Sequence, residues 1–256
     1  MPEVEMLLCG FNANTDQARL GLSMVTLVRG SRNTLVDVGH FGRRQLLVQA
    51  LEQRSLRPEQ IDTIVLTHAH WDHSQNVDLF SNARIVVHSS EVEHSRHPNP
   101  GELATPRYFA KTLEGHIVVD AREGMELEAG VSILETPGHS AGHISVLVHT
   151  SEGLVIIAGD ALSDAGALAR GMPFLVFWDV EQARSSVQKI RSAASRVYPG
   201  HDRPFQLKRD GGVEYLVPAP TVHFSGILEH DGSTFGITLG LDPPRTTEVH
   251  PSARER

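Results

Sequence analysis

Four side chains able to bind a metal ion, His68, His70, Asp72 and His73, occupy positions 68 to 73 directly after the apolar run Ile64-Val65-Leu66. That run suits a buried strand, but imidazoles and a carboxylate at this density cannot continue one without partners. The chain must therefore leave a sheet edge at Thr67 and enter a loop. In a loop, imidazoles two residues apart can face one ion while the carboxylate and the last imidazole turn toward a second ion roughly 3.5–4 Å away. Imidazole and carboxylate without thiolate suit Zn2+, Fe or Mn2+ rather than a structural cysteine-rich zinc site.

The same punctuation, an apolar segment followed by Gly or Pro and then a metal-competent residue, recurs three times. It is seen in Thr136-Pro137-Gly138-His139, in Ala158-Gly159-Asp160 after residues 154–157, and in Tyr198-Pro199-Gly200-His201. Several loops at one sheet edge converge on a single cavity in this way. Together with the tetrad, these residues resemble the metallo-β-lactamase-fold hydrolases over about residues 25–205. The resemblance implies an α/β fold, a four-layer αββα sandwich. It also implies that His68, His70 and His139 hold one ion, that Asp72, His73 and His201 hold another, and that Asp160 bridges them. Val36-Asp37-Val38-Gly39 resembles the Asp-Thr-Gly turn of the family, whose carboxylate braces the ligand loop from behind.

A single domain over residues 1–256 is expected, with a core over about 20–210 and a strand-like extension over 211–245, because α/β enzymes of this length commonly form one core. The net charge of −8 gives polyanions and anionic membranes no help, so the expected partner is a small-molecule substrate. A homodimer is compatible with this. The single Cys9 allows no intramolecular disulfide. Glu3 and Glu5 stand where a signal peptide would be basic, and no apolar run approaches the ~20 residues that cross a bilayer. The expectation is a cytoplasmic protein.

Alternation over residues 23–28, a Gly30-Ser31 turn and an apolar stretch at 34–38 predict an antiparallel hairpin. Leu46, Leu47, Ala50 and Leu51 recur at helical spacing within 43–54, and 181–194 reads as a second helix. Residues 84–88, 131–136, 144–149 and 154–157 read as strands. The interval 93–115 lacks periodicity apart from a short helix over 106–113, and an irregular insertion beside a catalytic edge suits substrate contact. In the tail, 215–217, 222–228 and 234–241 read as strands, Asp231-Gly232 as a hairpin turn, and the last dozen residues as frayed.

Two divalent ions sharing a water lower its pKa toward neutrality. The expected reaction is attack of the resulting hydroxide on a carbonyl, opening a lactone, ester or cyclic amide. Asp72 and Asp160 would orient the hydroxide and carry a proton to the leaving group. Gly138-His139-Ser140-Ala141-Gly142 has the Gly-x-Ser-x-Gly spacing, but Ser140 directly follows the metal-competent His139, and neither it nor Ser74 is read as a nucleophile. Trp71, Tyr108, Phe174, Phe177 and Trp178 are the candidate substrate contacts, with ordinary core as the alternative for the cluster around 172–178. His143 reads as a hydrogen-bonded structural group, and His40, near the Asp37 turn, as a surface residue or else a donor behind the ligands.

The resemblance leaves three further chemistries open. One is a glyoxalase II-type thioester hydrolase, weakened by a tail that reads as extended rather than helical. Another is a phosphodiesterase or ribonuclease, implied by a likeness of the hairpin and early core to the metallo-β-lactamase domain-containing protein 1 group. The third is a persulfide dioxygenase with one iron held by two histidines and an aspartate. The acyl-homoserine-lactone hydrolases resemble the whole core, but they place a tyrosine three residues beyond the bridging Asp, where this chain has Ser163. Tyr108 is then the candidate donor to the substrate oxygen.

Overall fold

Apolar runs that do not alternate become strands buried on both faces, and here they build two sheets. The computed structural model describes residues 1–14, 16–227 and 234–240. They fall into two compact units, Met1–Leu216 and Val217–Arg256.

The first unit opens with β1 (Glu3–Leu8), a ribbon of β2 (Phe11–Asn14) and β3 (Arg19–Leu22), and the hairpin β4 (Val25–Arg29) and β5 (Asn33–Val36). It continues through α1 (Arg44–Glu52), β6 (Thr63–Val65), α2 (Trp71–Ser74), β7 (Arg84–Val87), α3 (Ser89–Arg96), α4 (Phe109–Thr112) and β8 (Val118–Asp120). One sheet has the order β1-β4-β5-β6-β7-β8. Next come β9 (Glu126–Glu128), β10 (Val131–Glu135), β11 (Ile144–Thr150), β12 (Gly153–Gly159), α5 (Gly166–Arg170), α6 (Val180–Ala193), β13 (Arg196–Pro199), β14 (Phe205–Leu207) and β15 (Val213–Tyr215). Their sheet has the order β15-β14-β13-β12-β11-β10-β9.

Successive side chains of a strand face opposite layers, and this generates the sandwich. Leu35, Ile64 and Ile85 pack with Leu47 and Leu51 of α1. Their neighbours Val36, Val65 and Val86 face the other way, onto Val131, Ile133, Val146 and Val155 of the second sheet. On the far side Leu134, Ile156 and Val197 pack on Val187 and Ile190 of α6. The layers run α, β, β, α, as the resemblance implied.

Strand direction then decides where the loops go. β10 is antiparallel to β11 and β11 to β12, whereas β12 and β13 are parallel, so the exits of β10, β12 and β13 share one edge. In the first sheet β5, β6 and β7 are parallel and also exit together. Hydrogen bonds from Ile144 N to Thr67 O (2.9 Å) and from Met24 N to Gly200 O (2.7 Å) join the two edges.

The predicted hairpin, the two long helices and the central strands all form. The helix expected over 106–113 shortens to α4, and α3 reaches into the stretch that showed no periodicity. The expected strand at 215–217 forms two residues earlier, as β15, where it can pair with β14. β1 escaped notice because charged Glu3 and Glu5 interrupt it; as an edge strand it tolerates them, with Glu5 paired to Arg29 (2.8 Å) and Arg54 (2.7 Å).

In the second unit, β16 (Thr221–Ile227) and β17 (Thr234–Gly240) pair antiparallel with Phe224 opposite Ile237. The expected Asp231-Gly232 turn and the last dozen residues lie outside the described residues. Among the described residues no helix is long and apolar enough to cross a membrane.

Candidate metal centre

Each expected ligand sits just past the end of a strand at the shared edge. His68 and His70 follow β6, Asp72 and His73 lie on α2, His139 follows β10, Asp160 follows β12, and His201 follows β13. The turn after β5 runs beside α2, with Val38 N donating to His73 O (2.9 Å) and Gln75 N to Gly39 O (3.1 Å). Asp37 occupies the left-handed region at φ 58, a conformation that Asp accepts more readily than most side chains. Its carboxylate accepts hydrogen bonds from Thr67 N (2.8 Å), Thr67 Oγ1 (2.8 Å) and His73 Nδ1 (2.7 Å). These bonds tie the turn after β5 to Thr67 and His73. Ser23 Oγ adds a bond to Asp72 O at 2.6 Å.

All seven candidate ligands are buried, none more than 9% exposed. Their donor atoms form two groups, one of His68, His70, His139 and Asp160 and one of Asp72, His73 and His201, each with its atoms within 4.8 Å of one another. Asp160 lies between them. Its Oδ1 is 3.4 Å from His73 Nε2, and its Oδ2 is 3.4 Å from His139 Nε2 and 3.2 Å from His201 Nε2. Asp72 Oδ2 is 3.3 Å from His201 Nε2.

The outer nitrogens reveal the tautomers. His139 Nδ1 reaches Leu175 O (2.8 Å), His201 Nδ1 reaches Leu22 O (3.2 Å), and His73 Nδ1 reaches the Asp37 carboxylate. Such oxygens only accept, so these nitrogens carry the protons. His68 Nδ1 donates likewise to Thr67 Oγ1 (2.9 Å), whose own proton goes to Asp37. The inner Nε2 atoms of these four histidines then present lone pairs. His70 Nδ1 lies 3.1 Å from His139 Nε2, which can accept its proton, whereas His73 Nε2 and His201 Nε2 face each other at 3.4 Å. Facing lone pairs such as this second pair repel unless a proton or a metal cation stands between them. His68 Nε2 and Asp160 Oδ1 are, moreover, buried with no hydrogen-bond partner among the described residues, a pattern that calls for an ion. These side chains fit divalent cations.

Electrostatics agrees. Burial lowers His68 well below its ordinary pKa and His139 to about 4, keeping both imidazoles neutral. Burial opposes charge in Asp160 too, yet His201, His73 and His139 hold its carboxyl well below the usual range. In His73 and His201 burial is outweighed by Asp37, Asp160 and Asp72 for the first and by Asp160 and Asp72 for the second, and both are raised. The carboxylate-rich side thus draws in positive charge, which a proton or a divalent ion can supply.

The aromatic candidates separate. Phe177 sets its ring edge-on to His70 (4.9 Å between centroids) and His139 (5.5 Å). Trp71 packs on His40 at 5.2 Å, and Trp178, half exposed, packs on His94 at 5.6 Å. Phe174 is 72% exposed beneath the Arg170 guanidinium. Tyr108 is half exposed, and its hydroxyl accepts from Gln75 Nε2 at 2.8 Å. Ser163 donates its hydroxyl to Asp164 at 2.8 Å. His143 is the structural group expected, bonded to Thr136 Oγ1 (2.9 Å) and accepting from Ala161 N (3.2 Å). His40, expected at the surface, is half-buried and accepts from Gly42 N at 3.0 Å.

Sequence reasoning missed Glu102. Its side chain is buried, accepts from His94 Nε2 (2.8 Å) and Thr105 Oγ1, and stands 3.6 Å from His70 Nε2. Burial opposes its charge, but the His70 ring beside it and the hydrogen bonds from Thr105 and His94 bring its carboxyl to about 2. No spacing relates it to the ligands, so only the folded insertion could reveal it.

A family model described as the metallo-beta-lactamase superfamily matches residues 18–201, an interval that ends on His201 and contains all seven candidate ligands. The chain is 32% identical over 190 residues to metallo-beta-lactamase domain-containing protein 1 of Xenopus laevis, covering 73% of each protein. It is 31% identical over 163 residues to an N-acyl homoserine lactonase of Bacillus cereus, covering 61% of this chain and 62% of that one, less than two thirds of the lactonase. Among solved structures, a point mutant of Bacillus thuringiensis AiiA with N-decanoyl-L-homoserine bound at its active site superposes with a TM-score of 0.63. That match has 23% identity and covers 78% of this chain and 92% of that one, a likeness of fold.

Proposed function

The chain belongs to the metallo-β-lactamase superfamily and is a metal-dependent hydrolase, and on that footing we propose that it opens a lactone, ester or cyclic amide of a small organic molecule at a pair of divalent ions, zinc by preference. The observation that carries this reading is Asp160, a buried carboxylate within 3.4 Å of imidazole nitrogens from both donor groups. His68, His70 and His139 would hold one ion and Asp72, His73 and His201 the other, with Asp160 between them. Bound there, the ions supply an acidified water and polarise the carbonyl oxygen.

The chain's own groups do the rest. Asp72 and Asp160 orient the attacking oxygen, take its proton and return it to the departing oxygen or nitrogen. Phe177 closes one side of the centre against bulk water. Trp71, Phe174 and Trp178 offer apolar surface to the organic part of the substrate. Tyr108, whose oxygen already accepts from Gln75, keeps its phenolic proton for a substrate oxygen, a task that Ser163 cannot take while it donates to Asp164. The preference for a lactone or ester is supported by the Bacillus cereus relative, named for that substrate class.

The test is a panel of lactones, esters, thioesters, lactams and phosphodiesters offered to Zn2+- and Mn2+-loaded protein, with metal analysis alongside. Fastest turnover of a lactone or ester and two ions per chain are expected. Hydrolysis of none of them, or one iron per chain with oxygen uptake on a persulfide, would overturn the reading.

A further inference from the structure

Outside the ligand set, one fully buried carboxylate touches two of the three loops that supply the first donor group. Glu91 lies in the first turn of α3 and is 0% exposed. Its Oε2 accepts from Ala69 N at 2.8 Å, and its Oε1 accepts from Gly142 N at 2.6 Å. Ala69 stands between His68 and His70, and Gly142 three residues after His139. These two loops leave different sheets, β6 in one and β10 in the other, and Glu91 spans the gap between them. A carboxylate taken from water is costly unless its oxygens are paired. Here the pairing groups are the backbone N–H groups of the segments that present three imidazoles.

The second donor group is braced by other residues. Asp37 holds His73, Ser23 holds the carbonyl of Asp72, and Leu22 O holds His201. We propose that Glu91 is a positioning residue that clamps the His68/His70 loop to the His139 loop, and so sets the affinity of the first metal position without setting that of the second. The proposal rests on the two-ion reading. A neutral amide in its place would turn an NH2 group against one of the two N–H donors and loosen one loop.

Stepwise Co2+ and Zn2+ titration of wild type and Glu91→Gln under chelator competition, with the Co2+ absorption spectrum recorded, tests it. Outer residues of this kind typically change metal affinity about 10–100-fold. The expected result is a loss of that size for one ion, a changed Co2+ spectrum for that ion alone, and an affinity for the other within about threefold of wild type. Glu91→Asp keeps the charge but reaches one loop only; it should fall between the two, and it carries the test if Glu91→Gln does not fold. Wild-type affinity at both positions, or equal weakening of both, overturns the clamp. Wild-type protein that takes up fewer than two Co2+ ions overturns the two-ion reading and the clamp with it.

Discussion

At the residue scale, the centre is decided by which nitrogen of each imidazole carries its proton. Asp37 illustrates this, since one carboxylate fixes both the loop through Thr67 and the tautomer of His73. Asp37→Ala leaves three donors unpaired, at about 1–3 kcal/mol each if they stay buried. Chelator competition should then report metal affinity about 10–100-fold weaker, and unchanged affinity would remove Asp37 from the bracing role. Asp160→Ala is expected to lose at least one ion and nearly all activity, and a variant that kept both ions would refute the bridge.

Outside the ligand set, burial pushes the Cys9 thiol up from 9.0 to about 11. The folded state therefore holds this proton more tightly than the unfolded chain does. Its contribution to stability is complete below pH 9 and is lost as pH rises toward 11. Cys9→Ala should flatten the fall of the unfolding midpoint across that window; identical alkaline profiles would sink the assignment.

At the element scale, glycines bring strands and helices close enough for the ligands to meet. Gly138 has φ 125, and a Cβ there would lie 2.1 Å from Ala183 N in α6. Gly138→Ala is expected to destabilise by at least ~1–3 kcal/mol, read as a lower thermal midpoint. At Gly200 a Cβ would lie 1.9 Å from Asp160 Oδ1. Gly200→Ala should displace the Asp160 carboxylate and lose metal while the metal-free midpoint changes less than in Gly138→Ala. The reverse ranking would show that Gly200 serves packing first.

Elements buried on two faces were legible, because Ile64-Val65-Leu66 and residues 154–157 have nowhere else to go. Elements with a solvated face were less so. β1 carries Glu3 and Glu5 on an edge, β8 exposes Val118 and Asp120 on either side of a half-buried Val119, and α3 hides Glu91 and Ser95 rather than an apolar stripe.

At the scale of the whole molecule, every candidate ligand lies within Met1–Leu216, while β16 and β17 belong to the other compact unit. A chain ending after Leu216 is therefore expected to bind the same number of ions as the full chain. A lower metal stoichiometry in the shortened protein would show that residues beyond 216 help build the centre. The acidic balance of −8 acts on this scale too. It leaves long polyanions without a general electrostatic pull and suits a substrate small enough to be gripped by local contacts.

The sequence by itself determined the chemistry of the candidate donors and the places where they leave the sheets, because side-chain type and strand exits are local properties of a few adjacent residues. His68, His70, Asp72, His73, His139, Asp160 and His201 could be named from such stretches alone. Tertiary structure decided which atoms face inward and what holds them there. Leu22 O, Leu175 O, Glu91 and Glu102 reach the centre across 22 to 179 residues of chain, and separations of that kind leave no periodicity or spacing in a sequence to read.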